Sequence, residues 1–466
     1  MNGKKIAFLI IGMVAGLFLA VGVQAPEGLE TNSMRILGIM LMAICWWAGE
    51  VFPEAITALI MSTLFVVFGG IGISTSFAAF SGTTFWLLVA AFGLGAAIKN
   101  CGLLERVAML LLKLFPGTYK GQVLGLLSVT TVTAPFVPSK AAKCTILSPL
   151  TRSIGEAMGY ENEGKETTGL FLAYFSAICF SATLFISASV TSYALYGLYS
   201  PEIQAEFAMV KWALYALFPV GLLFLGNYLY ISYRYKPAGG QKLDMSFLQD
   251  KIAQLGVWSQ GEKIMGVIML VTILLWVLKP FDISEWAVAV LALCASVISG
   301  VLPVNKWRTS VAWESLIFIA CAVSLATVLP AVGITDWLVG AIGGYTAPFF
   351  ANPYLMVVGL AVLTLLARFL ILSEIGYLTV FLVFLMPLAS SAGVNPWVVG
   401  FIMYSFVCTW MIPYQSSVYL TAVYSGGDGW VTFKDTTKYC YVYCLITIIA
   451  LCATVPIWQM LGIWYI

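Results

Sequence analysis

From Ile6 to Val23 the chain runs for eighteen residues without a charge, and comparable apolar runs recur as far as Ile466. A run of that length is long enough to cross a hydrocarbon core of about 30 Å as a helix. Further runs cover Met34–Phe52, Ala55–Gly70, Phe85–Ile98, Thr168–Leu198 and Trp212–Tyr233 in the first half. In the second half they cover Met265–Leu278, Trp286–Leu302, Val311–Leu329, Pro353–Leu372, Pro396–Tyr424 and Tyr439–Ile466. The pattern predicts an all-α polytopic membrane protein with about 11 transmembrane helices, because backbone groups in lipid must be paired within the protein. With 61% of 466 residues apolar and 9% charged, the chain must fold in a bilayer. Val-Gln-Ala before Pro26 resembles a signal-peptidase site, but the preceding run exceeds the usual signal core and reads as the first span.

The same composition excludes several functions. The chain has no histidine, which removes imidazole catalysis, and its 23 basic and 21 acidic residues leave a net charge of +2, which argues against a nucleic-acid partner. No P-loop, G-x-S-x-G or C-x-x-C is present, so an integral-membrane enzyme has no catalytic cluster to rest on. Cys45, Cys144, Cys179, Cys294, Cys321 and Cys408 fall in or beside apolar runs and read as small buried residues. No resident cofactor or metal site is expected.

Residues 234–262 form a charged stretch with Gly239-Gly240 that is too polar for hydrocarbon, and they separate an N-terminal half (1–233) from a C-terminal half (263–466). Lys99, Arg106, Lys113 and Lys120, the linker, Lys306, Arg308, Lys434 and Lys438 all fall on one side if the N-terminus is cytoplasmic. The expected placement is therefore a multi-pass protein of the cell membrane with a cytoplasmic N-terminus. Trp86, Trp286 and Trp397 are expected as interfacial anchors.

Three features recur between the halves in the same order. WLLVAAFGLGAAIKNCGLLERV (86–107) parallels IFIACAVSLATVLPAVGITDWL (317–338), each ending in Gly-apolar-x-acid, at an offset of 231. Ala188–Tyr196 matches Ser416–Tyr424 in four of nine places at an offset of 228, and Pro138-Ser139-Lys140 pairs with Leu372-Ser373-Glu374 at 234. Such a duplication is what an inverted-repeat carrier leaves behind, and helices broken at mid-membrane are tolerated only where they line a protein-enclosed cavity. Pro135, Pro138 and Pro149 bracket the first tip, whose arms Val123–Val137 and Ile146–Met158 are short for full crossings. A re-entrant hairpin is expected there and a second one around Arg368, Ser373, Glu374, Gly376 and Thr379.

These breaks supply the candidate site. Ser139, Lys140, Ala141, Ser189, Ser373, Glu374, Thr379, Gln415 and Ser417 are expected to bind substrate, with Lys140, Ser187, Glu374 and Ser416 as ion-binding groups or, for Lys140, a built-in cation. Ser and Thr in membrane helices also serve as packing groups, and Lys140 and Lys143 can snorkel to an interface. Arg368 and Glu374 read equally as an ion pair across the hairpin or as ligands. The basic tip favours an anionic substrate. A cation/proton antiporter with Glu374 as its ion site is the alternative.

The layout resembles the divalent anion/sodium symporter family of di- and tricarboxylate carriers. The resemblance rests on Phe85–Arg106 with its Gly-Leu-Leu-Glu-Arg ending, the Ser139 hairpin with Pro149, and Met411-Ile-Pro413 leading to Tyr424-Ser-Gly-Gly427. It implies scaffold and transport domains, elevator-type movement, a homodimer, and sodium held at Ser-Asn-Thr hairpin tips. Here the tips read Ser139-Lys140-Ala141 and Ser373-Glu374-Ile375. Lys140 at the tip supplies a fixed cation whose expected partner is Glu374 or the substrate, while a carboxylate at the other tip can carry a proton or a cation. Sodium coupling, proton coupling and anion exchange all stay open.

Overall fold

The computed structural model describes residues 3–466. Helices make up nearly all of this span, and among the described residues the β pairings are the isolated bridges Thr118↔Lys242 and Val394↔Tyr465. Among the described residues eight helices are long and apolar enough to cross a bilayer, Gly3–Gly22, Thr83–Cys101, Lys165–Leu184, Met209–Arg234, Gln260–Leu278, Trp313–Ala331, Glu374–Ser391 and Phe433–Met460, and the pair Ile334–Ala351 and Pro353–Ala367, bent by 112°, makes a ninth if taken as one span. The expected spans Ala55–Gly70 and Trp286–Leu302 appear instead as 14-residue helices, Glu54–Val67 and Glu285–Ile298. At a rise of about 1.5 Å per residue each reaches about 21 Å, short of the hydrocarbon thickness.

Six helices of one half match six of the other in order and nearly in length, while Leu103–Leu112 and Lys165–Leu184 differ in length from Ile334–Ala351 and Pro396–Val407. Thr31–Ala48, Glu54–Val67, Thr83–Cys101, Tyr119–Thr133, Lys140–Ala157 and Val190–Leu198 have 18, 14, 19, 15, 18 and 9 residues. Gln260–Leu278, Glu285–Ile298, Trp313–Ala331, Pro353–Ala367, Glu374–Ser391 and Ser417–Ser425 have 19, 14, 19, 15, 18 and 9. The third helix of each set gives way to a left-handed glycine, Gly102 at φ 80° and Gly333 at φ 70°, where the chain turns into the next helix. A side chain would be strained there, which is why both copies keep glycine.

Packing between the halves is reciprocal. Glu54–Val67 lies against Trp313–Ala331, and its counterpart Glu285–Ile298 lies against Thr83–Cys101. Likewise Lys140–Ala157 packs on Ser417–Ser425, while Glu374–Ser391 packs on Val190–Leu198. Each hairpin helix thus meets the broken helix of the other half. After its charged first turn, Lys165–Leu184 is buried from Thr167 to Leu184, with both arms of the first hairpin against it.

The helix caps move one register. Ser189 and Ser416 are the N-caps of the two nine-residue helices, preceded by the 3₁₀ turns Ile186–Ala188 and Pro413–Gln415. The repeat offset here is therefore 227, one less than the residue matches suggest, because the cap fixes where the helix starts and the matched Ser and Val lie on either side of it. Trp397 is also reassigned. Rather than sitting at an interface, it is fully buried, stacked on Phe207 at 4.6 Å and set edge-on against Trp212 and Trp458. Its helix is buried from Pro396 to Val407. Cys294 is exposed, not buried, on a helix whose outer side has no partner.

The linker is a strap. Leu243 N–H bonds the Gly117 carbonyl at 2.7 Å, and Leu248 of the helix Met245–Gln254 is buried in the core. The Asp244 carboxylate caps that helix through Ser246 N–H, which holds its pKa below the usual range. Beyond it Arg106 is buried and fully engaged: its Nε bonds Glu262 at 2.5 Å and its Nη atoms reach the Leu255 and Gly256 carbonyls at 3.0 Å. Arg106→Ala would leave Glu262 charged and almost enclosed, a loss of about 3–5 kcal/mol for a broken buried pair. The expected result is a lower melting temperature and faster proteolysis within the linker, read by thermal unfolding and limited digestion of the purified protein.

Candidate functional site

Four helix starts converge on one cavity of about 400 Å³, within the range of about 300–1,000 Å³ typical of small-ligand sites. At the first hairpin tip, Ser139 Oγ accepts from Ala142 N–H at 3.1 Å, and at the second Ser373 Oγ accepts from Gly376 N–H at 3.1 Å. Ser189 Oγ accepts from Thr191 N–H and Ser416 Oγ from Tyr419 N–H, both at 3.1 Å. All four serines line the cavity. Each opens a helix of nine residues or more, so four positive dipole ends and their unspent N–H groups face one volume, an arrangement that favours anions.

Two charged side chains tie the tips together. Lys140 Nζ pairs with Glu374, whose Oε2 also accepts from Thr191 Oγ1 at 2.9 Å. Both members are largely enclosed, with side-chain exposures of 5% and 13%. The pairing joins the first residue of one hairpin helix to the first residue of the other, and it takes up the charge that either would otherwise leave bare in the membrane interior.

Of the two readings of Arg368 and Glu374, the ion pair does not form, Glu374 pairing with Lys140 instead. Between Ala367 and Glu374 the chain leaves the helix, and its carbonyls lack intrahelical partners. Arg368, fully buried, turns back onto them: Nη1 bonds the Ile371 carbonyl at 2.8 Å and the Leu372 carbonyl, and Nη2 crosses to the Gln415 carbonyl at 2.7 Å. Lys143 does the matching work in the first half. Also fully buried, it bonds the Ala188 carbonyl at 2.9 Å and the Ala134 carbonyl at 3.5 Å. Ala188 and Gln415 end the two 3₁₀ turns and are equivalent in the 227-residue register. A buried basic side chain thus joins hairpin to break in each half, supplied from different sequence positions.

Of the residues expected to form the site, Ser139, Lys140, Ala141, Ser189, Ser373, Glu374, Gln415, Ser416 and Ser417 line the cavity. Ser187 and Thr379 are buried but lie outside it. Ser187 sits inside the 3₁₀ turn, and Thr379 is more than a turn below the tip, on a part of its helix packed into the core. Sequence reading missed Glu54, Phe92, Thr191 and Ser315 as lining residues. Thr191 was legible as the second residue of a helix whose cap was already suspected. Glu54 and Ser315 come from helices outside the hairpins and carry no local signal. Two buried donors beside the cavity, Arg368 Nε and Gln415 Nε2, find no hydrogen-bond partner among the described residues.

The sequence profile of the sodium:sulfate symporter transmembrane region matches residues 4–464. The chain is similar to dicarboxylate transporter 1 of Arabidopsis thaliana chloroplasts, with 27% identity over 349 residues, 72% of this chain and 62% of the relative. The match thus spans less than two thirds of that relative's length. It is also similar to the sodium-dependent dicarboxylate transporter SdcS of Staphylococcus aureus, with 24% identity over 366 residues, 71% of this chain and 69% of the relative. In overall fold it matches the crystal structure of the YdaH transporter of Alcanivorax borkumensis at a TM-score of 0.60 and 13% identity, over 98% of each chain.

Proposed function

The chain belongs to the sodium:sulfate symporter family, and on that premise we propose that it is a secondary carrier of small dicarboxylates that works without sodium. The observation that carries the reading is the convergence of four serine-capped helix N-termini on one cavity with Lys140 and Arg368 in its wall. Carboxylates at both ends of a short chain would each meet N–H groups at a helix start, and Arg368 Nε and Gln415 Nε2 would gain acceptors.

The coupling ion follows from the same geometry. Lys143 and Arg368 hold converging carbonyls from hairpin and break, the kind of oxygen cluster that suits a bound cation at a broken membrane helix. A covalently attached cation at each makes sodium unnecessary. Lys140, the residue whose charge first suggests this role, is engaged by Glu374. That pairing also leaves the cation/proton antiporter without a free carboxylate at Glu374.

In this reading the two halves are inverted units, the hairpins are re-entrant, and the hairpins and broken helices move as one body against a frame that includes Glu54–Val67 and Glu285–Ile298. The protein is a homodimer in the cell membrane with its N-terminus in the cytoplasm. Exchange into malate-loaded proteoliposomes tests the substrate class. Labelled C4 and C5 dicarboxylates should enter, and monocarboxylates should not compete. Equal competition by acetate and succinate, or no exchange of any dicarboxylate, would overturn the reading.

A further inference from the structure

Glu54 is the one charged side chain lining the cavity that makes no ion pair among the described residues, the Ser373 hydroxyl being its polar neighbour. The other three are committed: Lys140 and Glu374 to each other, Arg368 to three carbonyls. Glu54 reaches the cavity from the first turn of Glu54–Val67. A carboxylate presented to a volume otherwise built for carboxylates is unfavourable for a plain dianion, since like charges close together raise the cost of both. It becomes favourable if the substrate brings a cationic donor of its own.

We infer that Glu54 determines specificity, pairing with an α-ammonium group, so that the carrier prefers amino-substituted dicarboxylates, zwitterions of net charge −1, over unsubstituted dianions. The inference rests on the dicarboxylate reading above. In the bound state the two carboxylates take the helix N-termini at the tips and breaks, and the ammonium turns toward Glu54. This gives the Glu54 carboxylate a cationic partner that no protein side chain among the described residues supplies. A carboxylate–ammonium contact is a charge-assisted hydrogen bond, about twice as strong as a neutral one. Because Glu54 lies on a helix outside both hairpins, the ammonium also joins the substrate to a second part of the protein, which a plain dicarboxylate cannot do.

Aspartate and succinate share a four-carbon chain and differ in the amino group, so they isolate the contact. In proteoliposomes exchanging labelled malate, aspartate should compete about tenfold better than succinate with the unaltered protein. Glu54→Gln, which keeps size and hydrogen bonding but not charge, should reverse the order, with succinate improving and aspartate weakening. Glu54→Asp should retain the aspartate preference, which separates loss of charge from loss of fold. An unchanged aspartate-to-succinate ratio in the Gln variant, or a preference for succinate in the unaltered protein, would overturn the role of Glu54 while leaving dicarboxylate transport intact. Failure of both compounds to compete would instead overturn the reading on which it rests.

Discussion

Replacing Lys143 by methionine is expected to lower dicarboxylate exchange by about a hundredfold or more in protein that still purifies as a folded species. The side chain is fully buried and its Nζ bonds the carbonyls of Ala188 and Ala134, which end the turn before the break and the arm before the tip. A hydrogen bond to a charged group contributes about 1.5–3 kcal/mol, so losing the 2.9 Å bond to Ala188 together with the long 3.5 Å contact to Ala134 corresponds to about two powers of ten. Arg368→Met should have a comparable effect through the carbonyls of Ile371, Leu372 and Gln415. Lys143→Arg, which retains a charge and adds donors, should keep a measurable part of the activity. Exchange at the unaltered rate by the methionine variant would remove the tethered cation from the account.

The second large effect concerns the pair between the hairpin tips. Lys140→Met or Glu374→Gln alone strands the remaining charge in an enclosed site, and breaking a buried pair costs about 3–5 kcal/mol. The double variant Lys140→Met/Glu374→Gln strands nothing, and should recover most of the lost thermal stability and part of the exchange rate. Exchanging the partners, Lys140→Glu with Glu374→Lys, should fold as the unaltered protein does. The measurement is a double-mutant cycle on melting temperature and on exchange rate, with coupling of several kcal/mol between the two positions. Additive losses would mean that the two side chains act separately, Lys140 facing substrate and Glu374 facing an ion.

Much of this arrangement was legible because membrane insertion restricts what apolar runs can do. The runs, the polar linker and the glycines at 102 and 333 all follow from local rules, and six helices of each half agree in order and nearly in length. Ser139, Ser373, Ser189 and Ser416 stood out for a related reason, since each is a cap residue at a break in an apolar segment. The connections between breaks were harder to see. Arg368 lies six residues from Glu374, which suggests a pair, yet the unwound chain between them presents carbonyls that the guanidinium meets first. Lys143 lies one helical turn beyond the tip, and its partner Ala188 is 45 residues away with no side chain to advertise the contact. Trp397 read as an anchor because tryptophan in a membrane protein usually is one; burial by Phe207, Trp212 and Trp458 is a tertiary fact. Lengths near the limit, such as the 14 residues of Glu54–Val67, cannot separate a crossing from a partial one by hydropathy alone.

The account turns on whether a cation built into each half replaces a mobile one. Exchange of labelled malate into malate-loaded proteoliposomes, with sodium on both sides compared with choline on both sides and the membrane potential clamped, decides it. The tethered cations Lys143 and Arg368 predict equal rates in the two media and no sodium uptake accompanying the dicarboxylate. A rate that falls to background in choline and returns in proportion to added sodium would contradict the account, and would make Lys143 and Arg368 structural ties beside sodium sites formed elsewhere.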